Sequence, residues 1–267
     1  MIELKEQDGY FPILWFGDRE AYKKSKIKVI TVALNPSETE FCNNDKKKKT
    51  HDNTFRFPKY GESLEDAYNE YFKIEPYNWF NNFEYVLRDF GASYGGKILK
   101  IQNDKKCEEA YLYRAIHTDL CTPYATKPAW TGKVDKAERR QNEKDKEEIA
   151  KTGMKIWEIL VDILKPDIII ACIPQEYREK LIDSNSLTEI IRVVETKGGD
   201  DREPISILAG VYKGALIIFG KTQNVPFGNV STLQKKLIGE NIRKCYDLWK
   251  DTDKLSFVKI GKDSIVE

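Results

Sequence analysis

The sequence contains no Cys-x-x-Cys pair. Its five cysteines, Cys42, Cys107, Cys121, Cys172 and Cys245, are odd in number and far apart. That pattern argues against a disulfide framework and against a zinc site, and it predicts free thiols in a reducing cytoplasm. No apolar run is long enough to span a bilayer. The stretch Met1-Ile2-Glu3-Leu4-Lys5-Glu6 lacks a signal peptide's basic start and apolar core. A cytoplasmic chain with no membrane partner is therefore expected. Net charge is nearly absent: 44 Lys and Arg oppose 43 Asp and Glu, for a total of +1. No global basic field advertises nucleic acid. A local patch could still serve, and Lys46 to Lys49 is one such run, although a solvated loop is its plainer reading. Histidine is scarce too, limited to His51 and His117.

What is present suits one α/β domain. The 267 residues can bury a sizeable core, and neither an internal repeat nor a linker divides them. Ile27, Val29, Ile30, Val32, Ala33 and Leu34 form a nearly continuous β-branched run, as expected of a parallel strand buried on both faces. The run stops at Asn35-Pro36-Ser37, a turn signal. Tyr111 to Leu120 and Ile168 to Ile173 read as two more buried strands, each running into polar residues and proline. Ala215 to Phe219 is a fourth, entered through the tight turn Lys213-Gly214. Glu189 to Thr196 and Ile205 to Tyr212 look like further strands. Helices are expected from Ser63 to about Phe72, Tyr77 to Phe90, Asn142 to Leu164 and Gln175 to Ile182. A last one, capped by Ser231, runs to about Trp249. Strands alternating with helices describe a mostly parallel sheet flanked by helices, whose carboxyl edge takes ligands.

Three loops carry candidate chemistry. Pro12 to Gly17 reads as an aromatic lid. The polar loop from Glu38 to Lys59 holds Phe41 and Phe57, rings able to stack on a base or to anchor the loop. Gly91 to Ile98 almost spells a phosphate-binding loop. However, Ile98 stands where a Ser or Thr must meet magnesium, and a helix precedes it instead of a strand, so a helix-ending turn is the better reading.

The chain resembles the uracil-DNA glycosylase superfamily, as a divergent member, in three places. Ala33-Leu34-Asn35-Pro36-Ser37 looks like the family's first motif, Gly-x-Asn-Pro-Gly or a variant. His117-Thr118-Asp119-Leu120-Cys121-Thr122-Pro123 looks like its base-reading segment. Lys165-Pro166-Asp167 and the strand after it resemble the family's helix–Lys-Pro–strand unit. The likeness spans roughly Trp15 to Trp249.

The resemblance implies a monofunctional, metal-independent DNA glycosylase. Such an enzyme flips a damaged or modified pyrimidine out of DNA and hydrolyses its N-glycosidic bond. Asn35 matches the residue that positions the attacking water; Ala33 and Ser37 replace glycines of the family and tighten the pocket floor, and Pro36 and Ser37 are expected to contact substrate. His117 or Asp119 takes the place of the usual base-reading Asn, and a satisfied strand-end histidine is the alternative. The loop after the last strand lacks the family's histidine. Lys221 could there stabilise the departing base, and Asn224 could read its edge. Pro226 and Phe227 form an apolar tip that would wedge into DNA, although Phe227 could equally fold into the core. Lys127 is a further DNA contact. The cysteine spacing does not reproduce the family's iron–sulfur set, so no cofactor and no metal cluster are expected. The partner would be duplex or single-stranded DNA, and the protein a monomer.

Two other glycosylase-fold readings stand beside this one. One is a catalytically weakened relative that binds DNA or a partner. The other is a glycosylase acting on hypermodified phage bases in anti-phage defence. A Ser37–His117–Asp119 hydrolase ranks lower, because Ser37 lacks the Gly-x-Ser-x-Gly elbow.

Overall fold

The computed structural model describes residues 14–34, 63, 66, 68–69, 71–73, 78–95, 112–121, 136–194, 204–223 and 225–252. Within them, seven strands make one sheet: β1 (Val29–Ala33), β2 (Ala92–Ser93), β3 (Tyr113–Asp119), β4 (Ile168–Ala171), β5 (Thr188–Val194), β6 (Pro204–Tyr212) and β7 (Ala215–Phe219). Their spatial order is β2-β3-β1-β4-β7-β6-β5. The pairings from β2 through β7 are parallel, and β6 and β5 add on antiparallel. This is an α/β fold with a mixed, mainly parallel sheet. Every residue of β1, β4 and β7 is buried, because helices cover both faces of these strands.

Among the described residues, helices with both ends described flank the sheet: α1 (Arg19–Lys24), α2 (Asn81–Phe90), α3 (Lys136–Leu164), α4 (Gln175–Leu181) and α5 (Thr232–Thr252). Helices α2 and α5 pack on one face. There Phe83, Leu87, Ile238 and Ile242 join Val29, Ile170 and Ile218. The other face meets α3 through Trp157, Leu160 and Val161, set against Ile30, Val32 and Ile169. Gly239 lets α2 and α5 approach closely, since a Cβ there would overlap the Val86 carbonyl oxygen. Ser231 caps α5 as expected, and reciprocally: the Gln234 N–H donates to Ser231 Oγ (3.1 Å), and the Ser231 N–H donates to Gln234 Oε1 (3.0 Å). Lys213 and Gly214 both take positive φ, 49° and 78°, in the turn from β6 to β7.

Some boundaries differ from the sequence expectation. The helix expected from Tyr77 opens as a 3-10 turn at Asn78–Phe80 before α2 proper. Helix α3 begins at Lys136, earlier than Asn142. The supposed glycine turn does end α2, with Gly91 at φ 101°, but it leads straight into β2. The loop after β7 contains a small hairpin, β8 (Thr222–Gln223) with β9 (Val225–Pro226). No helix among the described residues is long and apolar enough to cross a membrane.

Candidate active site at the carboxyl edge of the parallel strands

The parallel strands end level with one another. Ala33 of β1 pairs with Asp119 of β3, Val32 with Ala171 of β4, and Ala171 with Phe219 of β7. Backbone bonds carry the ladder past the strand ends. The Leu120 N–H donates to Ala33 O (2.8 Å), Cys121 to Leu34 O (2.7 Å), Cys172 to Val32 O (2.9 Å) and Gly220 to Ala171 O (2.9 Å). The chain segments that leave this edge are therefore anchored to the sheet up to their first residues. Asn35, Pro36, Ser37, Phe41, Phe57, Lys127 and Asn224 lie outside the described residues.

A buried polar chain runs across the sheet to this edge. On β3, His117 and Asp119 are two residues apart and so share the face covered by α2. His117 Nδ1 lies 2.8 Å from Thr31 Oγ1, its register partner on β1, and Thr31 Oγ1 in turn bonds the Tyr94 hydroxyl. His117 Nε2 lies 3.6 Å from Asp119 Oδ1, beyond a direct hydrogen bond. Burial holds the Tyr94 hydroxyl protonated, well above the ordinary tyrosine range. With the imidazole proton on Nε2, beside the carboxylate, every donor points the same way. Tyr94 donates to Thr31, Thr31 to Nδ1, and Nε2–H is directed at Asp119. The chain ends on Asp119, 3% exposed, next to the end of β1.

Aromatic rings close around His117. The centroids of Phe80, Trp79 and Phe83 lie 4.9, 5.7 and 5.7 Å from its own. Its backbone exchanges two 2.8 Å hydrogen bonds with Phe16, which belongs to the stretch read as a lid. Phe16 is thus core. The expectation that His117 presents itself to a ligand is corrected by this enclosure: the residue is wholly buried and inside β3, not beyond it. Its ring is held by Thr31 at Nδ1 and presents Nε2 toward the side of Asp119.

The wedge expectation for Pro226 and Phe227 is corrected as well. Pro226 lies in β9 and is buried. Phe227 is fully buried and packs edge-on against Phe83. Its φ of 51° is a conformation that a bulky side chain rarely adopts. Bonds from the Phe227 N–H to Lys221 O (2.9 Å) and from the Val230 N–H to Phe227 O (3.2 Å) hold it there. Gly220 makes the room, since a Cβ on it would run into the Phe227 ring. Lys221, expected beside the departing base, instead lines a cleft with Arg178 on the β6 side of β7. Strand β7 is three strand spacings from β3, or about 14 Å.

Several groups escaped the sequence reading. Thr31 had a signal, as the one polar side chain in an otherwise apolar β1. Glu84 is fully buried on α2. It accepts from the Ser93 hydroxyl, from Arg88 Nε (3.0 Å) and from the Tyr94 N–H (3.2 Å), and so holds Tyr94 in position. Burial still raises its carboxyl above the ordinary range. Lys235, on the first turn of α5, is the only buried Lys or Arg among the described residues. It donates to Asn82 Oδ1 at 2.8 Å, and burial lowers its ammonium. Glu84 and Lys235 sit in stretches of mixed charge that gave no local cue. Cys121, Cys172 and Cys245 are free and buried, and burial pushes the Cys172 and Cys245 thiols up to about 12, where they stay protonated. No group of three or more potential metal ligands occurs among the described residues.

Compared with family models, curated proteins and solved structures, the chain matches none of them.

Proposed function

We propose that the protein is a DNA glycosylase of the uracil-DNA glycosylase type, hydrolysing an N-glycosidic bond at the carboxyl edge of its parallel strands. One observation carries the reading. The buried chain Tyr94–Thr31–His117–Asp119 ends on a carboxylate beside the end of β1, and Asn35-Pro36-Ser37 follows β1 in sequence after Leu34 alone. Asn35 would orient the water by accepting its hydrogen bond, and Asp119, poised by His117, would supply negative charge where the sugar becomes cationic. Lys235, buried on the same face, offers a positive charge to the departing base in place of the absent loop histidine.

The test is mass spectrometry of free bases released from uracil-containing DNA and from modified phage genomes. Wild-type protein should release a base. Asn35→Ala should lose turnover by orders of magnitude while keeping its DNA affinity, because its role lies in the transition state. No base released from any substrate would overturn the reading. It would leave the DNA-binding relative, which the inward-folded Phe227 favours. Release from phage DNA alone would point to hypermodified bases as the substrate.

A further inference from the structure

We propose that the cleft between α4, the start of β6 and the end of β7 binds a phosphate group, with Arg178 as its anchor. This deepens the proposed function and rests on it for the source of the phosphate. The cleft measures about 470 Å³, and among the described residues Arg178, Lys221, Gln175 and Ser206 give it its polar lining. Arg178 Nε is buried and meets no hydrogen-bond acceptor. A buried guanidinium N–H without an acceptor costs stability, and an anion's oxygen would satisfy it. Two carboxylates already occupy Ser206 and Gln175 of this lining, which leaves Arg178 to hold the anion. Glu189 is gripped by Arg192, with Nη2 at 2.9 Å from Oε1, and by the Ser206 hydroxyl; Glu179 accepts from Gln175 Nε2 at 2.6 Å.

The planar fork of arginine beside a lysine suits a tetrahedral oxyanion. The cleft opens at the same sheet edge as Asp119, with β7 about 14 Å from β3. At that separation the phosphate belongs to a flanking nucleotide and not to the one whose sugar reacts. Bound there, it would fix the strand's register without reading its sequence.

The experiment uses the full chain and two probes, a single-stranded oligodeoxynucleotide followed by fluorescence anisotropy across a salt series, and inorganic phosphate followed by calorimetry. Arg178→Gln should weaken oligonucleotide binding about ten- to a hundredfold, whatever the base sequence. It should also flatten the log–log salt dependence by about 0.7. Arg178→Lys, which keeps the charge but loses the fork, should retain the slope with weaker binding, and it serves if the Gln variant does not fold. An Arg178-dependent oligonucleotide signal without phosphate binding assigns the site to a strand phosphodiester. Arg178-dependent binding of inorganic phosphate assigns it to a free phosphate. Both outcomes support the site. Equal affinities and slopes for wild type and Arg178→Gln, or no binding of either probe, would overturn it. Base release is scored separately. Arg178-dependent binding without release keeps this site and removes the glycosylase, and release with Arg178-independent binding does the reverse.

Discussion

Replacing Thr31 by Val tests the buried polar chain directly. The two side chains have nearly the same shape, and both favour strands, so β1 itself should persist. What disappears is the hydroxyl that joins Tyr94 to His117. Both partners are buried, and each would be left facing a methyl group. A buried polar group deprived of its partner costs about 1–3 kcal/mol, so two cost about 2–6 kcal/mol. Each kcal/mol lowers the melting temperature of a domain near this size by about 2–4 °C, so even the low end gives a drop of about 4–8 °C. Urea denaturation followed by tryptophan fluorescence measures the loss, with an unchanged m value showing that the denatured state is not at fault. Thr31→Ser keeps the hydroxyl and should recover most of the stability. In the background of Tyr94→Phe, the Val substitution should cost less than it does alone, because one of its two bonds is already gone. A Thr31→Val protein within about 0.5 kcal/mol of wild type would refute the hydrogen-bonded chain.

Three further substitutions probe the frame around it. Phe227→Ala should cost about 3–5 kcal/mol as a core cavity and leave the ratio of duplex to single-strand rates unchanged; an unaltered melting temperature with a fallen ratio would restore the wedge. Gly239→Ala gains about 1 kcal/mol of helix propensity but meets the Val86 backbone oxygen, an overpacking cost of about 1–3 kcal/mol. Its melting temperature should fall, and a rise would show that α2 and α5 can separate freely. Glu84 carries a raised carboxyl, so the folded chain holds that proton to higher pH than the unfolded chain does. Its contribution is full below the unfolded value near 4.5 and is lost as pH rises through the folded value. Stability relative to Glu84→Gln should therefore decline from acidic to neutral pH, and an increase over that range would contradict the sign.

Strands β1, β4 and β7 were legible because strands buried on both faces leave nearly unbroken apolar runs; β3 lies within Tyr111 to Leu120 as expected, although it carries Arg114, His117, Thr118 and Asp119. The Ser231 cap and the Lys213-Gly214 turn were legible for a local reason, since each is written within four residues. The surroundings of His117 were not, because its box is assembled from Phe16, Trp79, Phe80 and Tyr94, on segments far apart in the chain. Without them, a polar residue near a strand end looks like one facing ligand. Phe227 failed for a related reason. An apolar side chain in a loop reads alike whether it points out or in, and only the cavity over Gly220 decides between them. Two residues long, β2 is too short to show any period.

The position of β1 between β3 and β4 has a consequence for synthesis. Among the described strands β1 waits longest to be paired on both edges, for Lys28 at its start bonds Asp167, 139 residues further on. At about 5–20 residues per second, the bare run Val29–Ala33 waits about 7–28 s for β4. Until β3 follows, this uncharged, β-branched segment has two open edges, and one of them stays open until β4 is made. Such a nascent chain is a natural client for a holding chaperone. Yield in a cell would then follow how well this one strand is shielded during translation more closely than it follows the stability of the finished fold.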